Sequence, residues 1–337
     1  MRALVLEGKG RLRLIEVPIP ELREDEALIR VRFCGVCGSD LPRIFGDIAY
    51  FYPLIPGHEF SGEVVAVGKT EHTEWVGKRV TVYPLIPCRR CPYCEMGWYE
   101  LCEDYGYLGS RQNGAFAEYV VAPVANLVPL PEGVSLEEGA LTEPAAVTFH
   151  AVRRVGGYLG ENVAVFGLGP VGLLVGMWLK LGGARRLIGY DVDESKFQLA
   201  RKVGFDVTLF PSFFPAEQGG IGLVVEASGS KEALTDALKL VRKKGRVLLL
   251  GNQEGEMTLK AGDFGQILRK ELTLVGSWNS SYTFLDSDWR RVLDLEETKR
   301  MSLGVLISHR IRLEEAPEFL LGMKERKFPY VKVVLVP

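Results

Sequence analysis

Residues 162–172 read NVAVFGLGPVG, and no other stretch constrains the fold of this chain as tightly. Five residues with the character of a buried strand run straight into G-x-G-x-x-G, and an apolar helical stretch follows to about residue 181. Such a loop delivers backbone N–H groups at a helix N-terminus, where a pyrophosphate binds. Gly167, Gly169 and Gly172 allow the tight turn and the close approach, with Pro170 and Val171 filling the motif. The next strand, 187–190, ends at Asp191, 24 residues beyond Gly167. A carboxylate there accepts a hydrogen bond from the adenosine ribose 2′-hydroxyl and repels a 2′-phosphate, so NAD is expected over NADP. The alternation continues with strands at 221–226, 246–250 and 272–275 and a helix at 231–241. The strands end in small residues: Ala227-Ser228-Gly229, Gly251-Asn252 and Gly276-Ser277. Parallel strands of this kind make a doubly wound sheet that binds its ligand at their C-terminal ends. Gly251 and Ser277 are therefore expected near the nicotinamide.

This rhythm begins near residue 150 and fades after about 285, whereas a chain of 337 residues has material for two domains. The opening is β-rich. Leu12, Leu14 and Val17, then Ala27, Ile29 and Val31, alternate with period two and read as paired strands. A helix is expected over 136–149, with Glu137 and Glu138 in its first turn. Beyond 285, helices at 288–297 and 314–326 and strands at 306–311 and 331–336 are expected to return the chain to the first domain.

The first domain carries the chemistry. Between residues 34 and 68 it reads CGVCGSDLPRIFGDIAYFYPLIPGHEFSGEVVAVG. Cys37, His58 and Glu59 supply a thiolate, an imidazole and a carboxylate, the ligand types zinc takes when one position stays open for chemistry. The apolar segment 45–56 between them could wall a pocket. Farther on, Cys88-x2-Cys91-x2-Cys94-x7-Cys102 offers four thiolates at the spacing of a closed tetrahedral site. Such a site has no open position, so a structural zinc that staples a polar lobe at about 84–106 is expected. An iron–sulfur cluster also takes four thiolates, but nothing else in the chain suggests electron transfer. A nucleic-acid zinc ribbon would need more than the single Arg89-Arg90 pair. In Leu141-Thr142-Glu143-Pro144 the carboxylate stands directly before proline, which is expected to hold it away from helical geometry and free to face a cleft.

The bulk properties narrow the partners. A net charge of −2 and a pI near 6.2 argue against nucleic acid. No apolar run reaches the length of a membrane span, and the N-terminus alternates like a strand instead of forming a signal-peptide core. A cytoplasmic location is expected, and in that compartment clustered cysteines bind metal or do redox work more often than they pair.

The motifs GHEFSGEVVAVG, the four-cysteine lobe and GLGPVG, in that order and spacing, resemble the zinc-containing medium-chain alcohol and polyol dehydrogenases over essentially the whole chain. The resemblance implies an α/β protein in two parts. A GroES-like, β-rich catalytic domain would comprise 1–149 and 286–337, around a doubly wound Rossmann domain at 150–285 that binds NAD. Cys37 and His58 match the catalytic-zinc ligands. Glu143 stands where alcohol dehydrogenases have a third cysteine and polyol dehydrogenases a glutamate. Glu59 matches the carboxylate that binds zinc or holds its water, and either glutamate could be the bound one. Ser39 matches the residue that accepts the alcohol proton, and Asp191 and Lys196 the adenosine-ribose contacts. The histidine that ends the proton relay in many relatives falls at Pro42, and Cys34 matches no family role. The stretches CGSDLPRIF, YPLIPGHEFSG, LGSRQNGAFAEY and FGQILRKELTLVGSW are most similar to the polyol-phosphate branch, whose substrate is of the galactitol-1-phosphate kind. The implied reaction moves hydride between a secondary alcohol of a polyol or polyol phosphate and NAD, with a sorbitol-type or threonine-type oxidation as the alternative. A phosphorylated substrate needs a cation, for which Arg43 and Arg111 are the candidates. Family members are often dimers or tetramers, so a homodimer or homotetramer is expected.

Overall fold

The computed structural model describes residues 1–211, 213, 220–253 and 255–337. The chain forms two compact units, Met1–Glu143 with Ser281–Pro337, and Pro144–Ser280.

The first unit is built on the strand Glu26–Gly35. Ala27, Ile29 and Val31 are buried while Arg30 is exposed, the period-two burial of a strand with one face on the core. It pairs antiparallel with Glu59–Val67, Tyr119–Pro123 and the C-terminal strand Lys332–Val336. Ile307–Arg312 lies parallel to that last strand, and the helix Ala316–Lys324 provides the crossover that parallel pairing requires. The tail thus joins the sheet of the N-terminal region, with Val334 opposite Gly35 and Leu335 opposite Cys34.

Two details differ from the sequence-based expectation. Leu12–Glu16 pairs with Arg2–Leu6 and not with the run that follows it. The intervening turn, with Gly10 at φ +71°, closes a local hairpin that is entropically cheaper than a longer loop. The region expected as one helix is split into Leu136–Gly139 and Thr142–Val155. Ser135 and Glu138 form a reciprocal capping box on the first.

The second unit holds a six-stranded parallel sheet in the order Val207–Leu209, Arg186–Tyr190, Asn162–Phe166, Ile221–Glu226, Val241–Leu249, Thr273–Gly276. All five neighbouring pairs are parallel. The order reverses between Asn162–Phe166 and Ile221–Glu226, the switch point at which such sheets bind dinucleotides. Every residue of Asn162–Phe166 is buried, as a central strand covered on both faces demands. Val207–Leu209 and the helix Ala261–Arg269 have no counterpart in the sequence reading. The first is only three residues long, too short to show a period. Among the described residues, no helix is long and apolar enough to cross a membrane.

Candidate metal centres and nucleotide site

The four-cysteine lobe is assembled almost entirely from its own backbone. Short helices at Pro92–Glu95 and Tyr99–Leu101 turn Cys88, Cys91, Cys94 and Cys102 towards one another until their sulfurs all lie within 4.8 Å. Cys88 and Cys94, and Cys91 and Cys102, are 4.0 Å apart through their Sγ atoms. Tetrahedral zinc with Zn–S bonds of about 2.3 Å needs sulfurs about 3.8 Å apart, so the cage fits. None of the six cysteines forms a disulfide. A backbone N–H of the Glu103 region lowers the Cys91 thiol to about 6, against the effect of burial. Burial pushes Cys94 up to about 12. A cation among the four sulfurs would hold them all as thiolates.

The second centre is drawn from distant parts of the chain. Cys37 follows the strand Glu26–Gly35, and His58 precedes Glu59–Val67. Because Gly35 pairs with Glu59 across the ladder, the two strand ends meet. A Cβ at Gly35 would collide with the Glu59 carboxylate, so any side chain there would displace that carboxylate. The ligand atoms of Cys37, His58 and Glu59 come within 4.8 Å of one another. The Ser39 hydroxyl donates to Cys37 Sγ at 3.3 Å. Asp40 is fully buried behind them. Its Oδ2 accepts from Cys37 N at 3.0 Å, and its Oδ1 accepts from Arg43 Nη1 at 3.1 Å and lies 3.7 Å from His58 Nδ1.

Glu143 is not held away from helical geometry as expected. It lies in the first turn of Thr142–Val155, where Pro144 is tolerated because amides there lack intrahelical acceptors. It is nonetheless buried, and its Oε1 accepts from the Tyr107 hydroxyl at 3.1 Å. The Tyr107 ring stands edge-on to His58 at 5.5 Å between centroids. Lys332 is buried, ion-paired with Glu59, and donates to Val36 O at 3.0 Å.

The electrostatics of this centre call for a dication. Cys37, Asp40, Glu59 and Glu143 can carry four negative charges, and Arg43 and Lys332 two positive ones. Without further cations the cluster takes protons instead. Burial opposes a charged His58, but Asp40 and Cys37 outweigh it and raise the imidazole to about 10. Burial raises Glu143 to about 7, helped by Glu59 and opposed by His58. Cys37, His58 and Glu59 make three ligands, the number that leaves zinc a position open, in a cluster short of two positive charges; Glu143 lies outside the three that converge. Cys34, although near, is packed in its strand opposite Leu335 and Phe60, and burial pushes its thiol well up.

The two candidate substrate cations differ. Arg43 is buried, and its Nη1 is spent on Asp40 and Ser39 O. It braces the residue behind His58 instead of offering an open cation. Arg111 lies against the rings of Tyr105 and Tyr50, at 4.1 and 4.8 Å from their centroids, and donates to Tyr105 O and the Tyr50 hydroxyl. No carboxylate is paired with Arg111 among the described contacts, and Tyr50 is exposed.

In the second unit, Gly167 has φ +93°, a left-handed conformation that side chains resist. Gly169 caps the helix Pro170–Leu181, with Pro170 and Val171 in its first turn. A Cβ on Gly172 would strike the Gly167 carbonyl oxygen. Asp191 is buried at the end of its strand. It accepts from Leu168 N at 2.7 Å, Asp193 N at 2.9 Å and Lys196 Nζ at 3.1 Å, and so ties the glycine loop to the next strand end. Among the described residues the shielded Ser277 hydroxyl has no hydrogen-bond partner. Gly251 packs so closely on Gly229 that a side chain could not fit.

Sequence reasoning missed four residues of these sites. Asp40 carried a signal, since it stands three residues after Cys37. Lys332 carried one too, a charge inside an apolar strand. Tyr107 carried none. Glu226 ends a fully buried strand and accepts from Ser228 N and Gly229 N at 2.8 and 2.9 Å, which shapes the turn beside Gly251.

Residues 23–132 match the alcohol dehydrogenase GroES-like domain, and residues 170–298 match the zinc-binding dehydrogenase domain. Galactitol 1-phosphate 5-dehydrogenase of Escherichia coli (strain K12) is 34% identical over 100% of both chains. The crystal structure of galactitol-1-phosphate dehydrogenase from Escherichia coli superposes with a TM-score of 0.93 over 100% of both chains. Sorbitol dehydrogenase of Halalkalibacterium halodurans is 33% identical over 100% of this chain and 99% of its own. A solved alcohol dehydrogenase from Escherichia coli CFT073, complexed with NADH, is 26% identical with a TM-score of 0.91 over 100% of this chain and 99% of its own. The chain therefore belongs to the zinc-containing medium-chain dehydrogenases, NAD-dependent enzymes that join a GroES-like domain to a Rossmann-like one.

Proposed function

We propose that this enzyme oxidises the secondary alcohol of a polyol or polyol phosphate, of the galactitol-1-phosphate kind, to the ketose. The observation that carries the reading is the buried carboxylate of Glu59 within 4.8 Å of the Cys37 and His58 ligand atoms, with a second buried carboxylate, Glu143, acting on His58 and Glu59 from outside that cluster. An oxygen-rich centre is harder than one with a further thiolate and favours oxygen-rich ligands. That suits a substrate with neighbouring hydroxyls.

Cys37, His58 and a carboxylate from Glu59 or Glu143 would hold a zinc ion that supplies Lewis-acid polarisation of the alcohol, while NAD, held at the glycine loop and by Asp191 and Lys196, supplies the hydride acceptor. Ser39 takes the alcohol proton, a role supported by its hydroxyl lying 3.3 Å from Cys37 Sγ. With Pro42 where a relay histidine would stand, the proton leaves by another route, through water near Glu59. Asp40 and Arg43 keep Cys37 and His58 in register. Arg111, beside the rings of Tyr105 and Tyr50 and without a carboxylate partner among the described contacts, is the cation for a substrate phosphate. The 34% identity to galactitol 1-phosphate 5-dehydrogenase supports the phosphorylated substrate. The 33% identity to sorbitol dehydrogenase supports the second reading, a free polyol. The functional protein is a homodimer or homotetramer, which light scattering of the purified chain tests.

The deciding experiment follows NADH formation by the zinc-loaded protein on galactitol 1-phosphate, galactitol, sorbitol, xylitol, 2,3-butanediol and L-threonine. Preference for the phosphorylated polyol supports the first reading, and Arg111→Ala should then lose activity on it far more than on free galactitol. Preference for sorbitol, xylitol or threonine rejects the phosphate. If Glu143→Cys left polyol turnover unchanged, the argument from two carboxylates would be wrong.

A further inference from the structure

We infer that Lys332 is a positioning residue of the metal centre: its charge tempers Glu59 as a ligand, so that a metal held there keeps a position for the substrate oxygen. This rests on the metal-centre reading above.

Lys332 opens the strand Lys332–Val336, whose next three residues are fully buried core. It is itself only 2% exposed. Burying an ammonium carries a desolvation cost that a methionine of similar length would avoid while filling the same space. The charge therefore needs a reason beyond packing. The ammonium has two partners among the described contacts, the Glu59 carboxylate and Val36 O at 3.0 Å. Glu59 is the residue whose other reach is toward Cys37 and His58. Val36 is the immediate neighbour of Cys37, so one ammonium pins both the carboxylate and the backbone that carries the thiol.

Glu143 offers the contrast. Its partner is the neutral Tyr107 phenol, which donates a hydrogen bond at 3.1 Å and brings no charge. The two carboxylates are thus held unequally. Glu59 is offset by a full positive charge at contact distance, whereas Lys332 reaches Glu143 only through space, with no ion pair between them among the described contacts. A unit positive charge this close to a ligand oxygen weakens the attraction of that oxygen for a dication. Removing it should tighten the metal, whereas damage to the fold should loosen it. The two explanations predict opposite signs.

The test is the rate at which a colorimetric chelator removes zinc from the purified full-length protein, with zinc counted per chain. The four-cysteine zinc serves as the internal standard of folding. In Lys332→Met, release from the Cys37 centre should slow by about tenfold or more, with the four-cysteine zinc retained and turnover reduced. Lys332→Gln, which keeps a hydrogen-bond donor but no charge, should slow release in the same way and serves if the methionine variant does not fold. Lys332→Arg should restore release to near the wild-type rate. In Glu59→Gln/Lys332→Met the slowing should vanish. Unchanged or faster release in both neutral variants, or slowing that survives Glu59→Gln, overturns the inference while the metal-centre reading stands. A wild-type protein that holds only the four-cysteine zinc overturns both.

Discussion

The two metal centres lie in the same unit and differ in how they are built. The four-cysteine cage takes all its ligands from 15 consecutive residues and has sulfur on every side. The Cys37 centre draws on residues 37, 58 and 59, with Glu143 outside the cluster and residues 40, 107 and 332 behind them. The cage is closed and homogeneous, which suits a staple. The second centre mixes sulfur, nitrogen and oxygen, and each carboxylate has a separate holder. A centre meant for chemistry must leave a position open, and keeping it open takes groups that hold each ligand short of saturation. Those groups come from wherever the fold can deliver them.

Five outcomes would sharpen or break that contrast. The largest effect is expected from Cys37→Ser, which should lower kcat/KM by about a thousandfold or more through loss of Lewis-acid chemistry, yet leave one zinc per chain by metal analysis. Retention of both zincs would mean that the thiolate is not a ligand. The mirror experiment is Cys94→Ser. It should remove the other zinc and lower Tm by about 10 °C or more, which calorimetry would show. A normal melting curve would deny the cage its structural role. Next, Ser39→Ala should cost about a hundredfold in kcat/KM, with both zincs in place. A loss of zinc instead would make Ser39 part of the shell and not of the proton path.

The fourth outcome concerns pH in protein freed of metal at the Cys37 centre. His58 is raised to about 10 from an ordinary value of 6.5. The stability contributed by its charged form is fully present below about 6.5 and is lost as pH rises through about 10. Glu143, raised to about 7, adds a contribution that is lost as pH climbs from about 4.5 through 7. Melting temperature should therefore fall across that whole range. Above about pH 8, where Glu143 and Glu296 have already titrated, the slope should become much shallower in His58→Gln, and an unchanged slope there would show that His58 is not what titrates. The smallest effect belongs to Tyr107→Phe, which removes one hydrogen bond from Glu143 and should cost about 1 kcal/mol by denaturant unfolding. A loss as large as that of Cys37→Ser would mean that the phenol itself takes part in the chemistry.

Most of this architecture could be read locally. NVAVFGLGPVG carries its strand, turn and helix in consecutive residues, and the turn forms because Gly167 and Gly172 alone permit it. The spacing of Cys88, Cys91, Cys94 and Cys102 is likewise a statement about a single loop. Elements too short to show a period, such as Val207–Leu209, escaped notice for the same reason that these were seen: local pattern needs length. Glu143 was misplaced because the steric preference of a residue before proline for extended backbone was taken as decisive, whereas the helix Thr142–Val155 overrides it in its first turn.

Local residues thus specified the dinucleotide loop, the sulfur cage and the types of ligand at the Cys37 centre, because in each the chemistry and the geometry lie within a few residues of one another. The fold decided the rest. Only strand pairing between Glu26–Gly35 and Glu59–Val67 brings Cys37 to His58, and only the return of Lys332–Val336 onto the same sheet buries an ammonium against Glu59. A side chain 273 residues away in sequence has no local signature of its partner. Its position is set by which strands pair, and its charge is tolerated only because that pairing puts a carboxylate beside it.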